Sequence, residues 1–189
     1  MTNIKQKLQK KSKEWLVERL LELAVADGAN EDRILLSLSS DEEDSKKFVA
    51  KCKRQIDKGS AAIVAHGPGS WTSQLPTAGF DSVADTLAVS LSTKLKEAIE
   101  ISEYALIKLD GVFELQDECE LEYLVDAFLG LHLEACCRLR PDPVALGERF
   151  AELTKQTEWE FFDGPPDGYH EVLGNEGLSA FCSKLERPF

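Results

Sequence analysis

No apolar run in this sequence approaches the roughly 18–20 residues needed to cross a bilayer. The longest, Tyr123 to Leu133, is interrupted by Asp126 and His132. No apolar signal segment follows the basic N-terminus either, because Glu18, Arg19 and Glu22 break up Trp15 to Ala26. The expected setting is cytoplasmic, with no membrane partner. Cysteine is sparse and odd in number: Cys52, Cys119, Cys136, Cys137 and Cys182. That pattern argues against a disulfide framework and leaves buried, reduced thiols as the plain reading.

Positive charge is also scarce. There are 22 Lys and Arg against 34 Asp and Glu, a formal net charge of −12. A general nucleic-acid binder needs a cationic surface, so direct nucleic-acid binding is not expected. Missing too is any sustained period-2 alternation with β-branched enrichment, so no strand is predicted.

What is present is helical. With 189 residues, 43% of them hydrophobic, the chain is long enough for one sizeable core. Ser12 reads as the cap of a first helix carrying Trp15, Leu16, Leu20, Leu23 and Ala24, stopped at Asp27-Gly28. Asn30 caps a short second helix, and a third starts near Ser39 with Phe48, Val49, Cys52 and Ile56 on one face. Gly59 reads as its end, with another turn or two over Ala61 to Ala65. Residues 66–79 hold two prolines and three glycines without periodicity, the signature of a loop. Periodicity resumes at Asp81, turns near Ser92-Thr93, and pauses from Gly111 to Asp117. Cys119 to Leu139 is the clearest helix, with Leu124, Val125, Phe128, Leu131, His132 and Ala135 on one side. Asp142 and Pro143 cap and start the next. Two short helices separated by Gly174 close the chain. The organisation predicted is a basic flexible N-terminus (1–11), an N-terminal helical lobe (12–65), a linker (66–79) and a C-terminal helical domain (80–189). The fold class is all-α, antiparallel helix pairs in an irregular, repeat-like bundle. No fixed-period signature of a tetratricopeptide array stands out.

The charge is unevenly spread. Residues 1–20 carry Lys5, Lys7, Lys10, Lys11, Lys13 and Arg19 against Glu14 and Glu18; Asp110 to Asp163 hold fourteen acidic residues against four basic ones. A basic tip and an acidic body attract each other, within a chain or between chains. The plainer reading makes both into solvated helix faces.

Motifs that carry chemistry are lacking. Gly67-Pro68-Gly69-Ser70 has no following lysine and is not a nucleophile elbow. The acidic runs Asp41 to Asp44 and Asp117-Glu118 with Glu120 do not match an EF-hand loop. His132 and Cys136 share a helical face at a spacing that can chelate zinc, but no second pair joins them. The alternative for His132 is a core histidine bonded to a carbonyl beside a buried thiol. His66 near Ser70, and His170 near Asp167 and Glu171, assemble nothing in sequence alone. No metal and no cofactor is expected, and the chain is not read as an enzyme. Aromatic residues offer a different lead. Trp71 sits in a polar loop, and Trp159, Phe161 and Phe162 crowd one short stretch. The candidate interaction residues are therefore Trp71, Trp159 and Phe162, with the carboxylates Asp117, Glu118 and Glu120.

Three stretches in the C-terminal half, Leu131-His132-Leu133-Glu134-Ala135-Cys136, Arg140 to Leu146, and Tyr169 to Leu178, together with Trp159, resemble a bacterial domain family of unknown function. The likeness covers residues 80–189 well and 12–60 loosely. It implies an all-α fold similar to helical-repeat scaffolds, and carries no catalytic or binding residues over. Some members of that family occur with SWIM-type zinc fingers, whose Cys-x-Cys and Cys-x-His pattern this chain lacks. The function expected is a non-catalytic protein–protein interaction scaffold with a basic protein partner. The alternatives are an acidic mimic that blocks a DNA- or RNA-binding protein, and an enzyme whose site is not recognised.

Overall fold

Phe48, Val49, Cys52, Ile56 and Ile63 recur three, four and seven residues apart, so a helix places them on one face. In the computed structural model that face is buried. The structure describes residues 11–26, 45–66, 75–113, 121–157 and 167–185. Among them are the helices α1 (Lys13–Ala26), α2 (Ser45–His66), α3 (Ala78–Ser90), α4 (Leu95–Phe113), α5 (Glu122–Leu139), α6 (Pro143–Gln156) and α7 (His170–Leu185). A 3-10 turn, Asp167–Tyr169, precedes α7, and no strand occurs among the described residues. The class is all-α.

Local chemistry accounts for several ends. Trp15 N–H donates to Ser12 Oγ at 3.2 Å, the cap expected for α1. Ala145 N–H donates to Asp142 Oδ1 at 2.8 Å, and Pro143 occupies the first turn of α6, where its missing N–H costs nothing. Arg140 ends α5 in the left-handed region with φ 52°, its N–H returning to the Cys136 carbonyl. At Gly174 the backbone departs from helix with φ 55°, the break expected between the two last helical segments.

Other boundaries differ from the sequence reading. α2 does not stop at Gly59 but continues to His66. Gly59 is buried where α2 crosses α3, and a Cβ on Gly79 would lie 2.9 Å from its Cα. The glycine serves helix approach rather than termination. α3 begins at Ala78, not Asp81, because Phe80 and Asp81 N–H groups both donate to the Thr77 carbonyl. α4 runs on through Gly111 to Phe113, since Val112 and Phe113 are buried. α5 starts at Glu122, and Leu131 on its apolar side is only partly covered. The predicted second helix and residues 67–74 lie outside the described residues.

The packing has a simple order. α2 lies on α3, α4 on α5 and α6 on α7; beyond these, α2 lies on α4, α4 on α6 and α3 on α5. α2, α4 and α6 thus form one row, α3 and α5 pack together beside it, and α7 covers α6. Four of the cross-helix bonds share nearly one sequence offset, while Tyr123–Asp81 spans 42 residues and Lys108–Asp57 is wider. Lys53 Nζ to Glu100 Oε1 (2.6 Å) and Tyr104 Oη to Asp57 Oδ1 (2.6 Å) each span 47 residues. Tyr123 to Thr77 and Arg149 to Glu103 each span 46. With two bonds at one offset, α2 and α4 run side by side in the same direction. Antiparallel pairing therefore does not describe every contact. The buried apolar residues of α2 through α7 belong to a single cluster.

Candidate functional site

Among the described residues, two groups of polar side chains stand out besides the exposed Lys53–Glu100 and Asp57–Tyr104–Lys108 contacts between α2 and α4. The first is buried between the last two helix pairs. Glu103 is a charged residue on the apolar face of α4, four after Ile99 and three before Leu106. Arg149 of α6 donates to its Oε2 through Nε at 3.0 Å and Nη2 at 2.9 Å. Its other oxygen, Oε1, lies 3.5 Å from Nε2 of His132 on α5, a long ion-pair contact. On the far side of that ring, Tyr169 Oη is 2.7 Å from Nδ1. With Nδ1 as acceptor the tyrosine donates to the ring; with Nδ1–H the ring donates and the hydroxyl turns to the Leu129 carbonyl. The carbonyl of Leu129 lies 3.3 Å from the same hydroxyl. Phe150 closes the cluster with its ring centroid 4.8 Å from that of Tyr169.

Charge inside this cluster is compensated. Burial alone would raise the Glu103 carboxyl, but the contacts with His132 and Arg149 outweigh it and hold the group below its ordinary value of 4.5. Burial keeps the Tyr169 phenol well above the ordinary tyrosine range. Cys136 Sγ lies 3.7 Å from His132 Nδ1. Burial pushes its thiol up to about 12, with the Glu103 charge adding to the effect. Nδ1 of His132 is bonded to Tyr169, Nε2 makes only the long approach to Glu103 and no hydrogen bond, and the ring is fully buried. Among the described residues no three His, Cys, Asp or Glu side chains converge as a metal site. His132 is a core histidine beside a buried thiol, as the plainer reading had it, but its direct partner is a tyrosine hydroxyl rather than a carbonyl. The arrangement links α4, α5, α6 and the turn before α7. Tyr169→Phe, which keeps the ring and removes the hydroxyl, should cost about 1–2 kcal/mol. A lowered urea midpoint at unchanged m-value would check it.

The second place is at the surface. Ala78, Ala84, Leu124 and Ala127 line a groove of about 360 Å³ between α3 and α5, with Asp81, Asp85 and Tyr123 at its sides. Tyr123 Oη lies 2.9 Å from Thr77 Oγ1 and 3.2 Å from Asp81 Oδ1, and Thr77 Oγ1 donates to Asp81 Oδ2 at 2.8 Å. The network ties the two walls together at one end. Burial raises the Tyr123 phenol above its ordinary 10.0, and the Asp81 charge adds to it. Glu122 and Asp126 are exposed on α5 beside the lining residues. Neither residues 78–90 nor residues 122–137 contain a lysine or arginine, so α3 and most of α5 carry negative charge alone.

The interaction residues picked from sequence, Trp71, Trp159, Phe162, Asp117, Glu118 and Glu120, lie outside the described residues. His170 is exposed at the start of α7, away from the enclosed His132. What the sequence reading missed is Glu103 with Arg149, and Thr77, Asp81 and Asp85 with Tyr123. Glu103 had a usable signal, a carboxylate within an apolar helical stripe. The groove had a weaker one, two helices on which Asp81, Asp85, Glu122 and Asp126 stand beside alanines. No family model, curated protein or solved structure matches this chain, so the likeness of its C-terminal half to a bacterial helical family rests on the residues quoted for it.

Proposed function

We propose that this chain is a helical-repeat scaffold of three stacked helix pairs that binds a basic, amphipathic helical segment of a protein partner in the α3–α5 groove. The observation that carries the reading is the groove itself, with its small apolar lining, Asp81 and Asp85 at its sides, and no lysine or arginine in residues 78–90 or 122–137. An amphipathic helix laid in such a groove buries its apolar face and sets its lysines or arginines against Asp81, Asp85, Glu122 and Asp126. Support for a repeat comes from the offset of 46 or 47 residues found in four of the bonds between equivalent helices. Stacked helix pairs typically present one layer as an extended binding surface.

Mimicry of nucleic acid is less favoured, because the acidic row on α5 is short. Glu122 and Asp126 are followed at the same spacing by Gly130, and Glu134 is paired with Arg138 at 3.5 Å. The test is fluorescence anisotropy with a labelled Leu/Lys amphipathic peptide and its Leu/Glu counterpart. The lysine peptide should bind in the micromolar range, weaken as salt is raised, and lose about tenfold in affinity to Asp85→Lys protein. Equal binding of both peptides, or indifference to Asp85→Lys, would overturn the reading.

A further inference from the structure

The chain itself contains a segment of the chemistry that this groove selects. Residues 1–13 hold five lysines and no carboxylate, and residues 1–20 as a whole carry a net charge of +4, from six basic and two acidic residues. The remainder must then carry −16, since the total is −12. The lysine block leads directly into α1, whose Val17, Leu20 and Leu21 are 46%, 44% and 61% exposed. Positions i, i+3 and i+4 fall on one face of a helix. Three exposed aliphatic side chains together form a stripe that a partner would cover. Among the described elements, none packs along α1. Trp15 adds ring surface with Lys11 and Arg19 stacked over it, at 5.0 Å and 5.6 Å from its centroid.

We propose that the basic, apolar N-terminal segment of one copy docks in the acid-walled α3–α5 groove of a second copy, so that the chain self-associates. This rests on the groove reading above and names the occupant. The lysines preceding α1 face Asp81, Asp85, Glu122 and Asp126, while Val17, Leu20 and Leu21 cover Ala78, Ala84 and Ala127. Each copy has one such segment and one such groove, so the exchange is either reciprocal, closing a dimer, or head-to-tail. Because charge steers the contact, salt weakens it.

The experiment is sedimentation equilibrium of the full chain at up to about 0.1 mM protein, in about 0.05 M and about 0.5 M salt. It is run on the wild type, on Leu20→Glu/Leu21→Glu and on Asp85→Lys. All three positions are exposed, and circular dichroism checks that each variant keeps its helical fold. A labelled peptide of residues 1–26 is titrated separately into the Leu20→Glu/Leu21→Glu protein, which retains its groove. The expected result is a wild-type oligomer at low salt that dissociates at high salt. Both variants should be monomeric alone, and the peptide should bind the first at least tenfold more tightly than it binds Asp85→Lys. A wild type that stays monomeric at low salt, or an oligomer unaffected by Leu20→Glu/Leu21→Glu, overturns self-docking. If the Leu/Lys peptide still binds in either case, the groove reading stands without it; if that peptide also fails, both fall.

Discussion

Gly147→Ala should destabilise the fold by about 3 kcal/mol, while the same substitution at Gly130 should stabilise it by about 0.5–1 kcal/mol. Both glycines lie inside helices, so helix propensity alone predicts a gain at each. The difference is in what the new methyl meets. On α6, a Cβ at Gly147 would lie 2.1 Å from the carbonyl oxygen of Gly177 on α7. That oxygen belongs to backbone and cannot rotate away. A Cβ at Gly177 would in turn meet the Pro143 carbonyl at 2.6 Å. The two helices touch main chain to main chain, so relief requires moving one against the other and loosening Leu146, Phe150, Leu173 and Phe181, all buried there. On α5, a Cβ at Gly130 meets nothing within 4 Å. Urea denaturation of the two variants beside the wild type measures the contrast. A neutral Gly147→Ala would mean that α6 and α7 are not in backbone contact.

Arg149→Met should cost about 2–4 kcal/mol at neutral pH. The figure sits below that of a fully buried pair because the guanidinium is partly exposed, 39% by side chain. The loss arises from the partner left behind. Glu103 keeps only the long contact to His132 and must hold its charge in a site that burial disfavours. The pH dependence follows from the same pair. Glu103 is held below its ordinary value of 4.5 in the folded protein, so the unfolded chain takes up the proton first. Its stabilising contribution is complete above pH 4.5 and is lost as the pH falls through the lower folded-state value. A protonated Glu103 gains little from Arg149, so the gap between wild type and variant should narrow below pH 4.5. Paired urea titrations at neutral pH and below pH 4.5 check this; a gap of constant size would mean that Glu103 is not the group Arg149 serves.

Much of the helical layout was legible in the chain. The stripe Phe48, Val49, Cys52 and Ile56 is the buried face of α2, and Leu124, Val125, Phe128, His132 and Ala135 are buried on α5. Asp142 and Pro143 start α6, and Gly174 breaks the last helical stretch. These features are local: each depends on residues within about one turn, where periodicity, caps and the missing proline N–H act directly. Gly59 was misread for the same reason. A glycine that ends a helix and one that admits a neighbouring helix look alike until the neighbour is in place.

The sequence by itself determined an all-α chain, acidic over most of its length and basic at its start, with His132 on a buried face. Only the tertiary structure decided which charges meet. Glu103 finds Arg149 across 46 residues and His132 on the next helix, while Asp81 finds Tyr123 across 42. Apolar periodicity says which face of a helix is inward but not which helix it faces, because hydrophobic burial is non-directional. The partner is chosen where side-chain volumes, glycine contacts and buried charges are satisfied together, and the groove between α3 and α5 exists only once that choice is made.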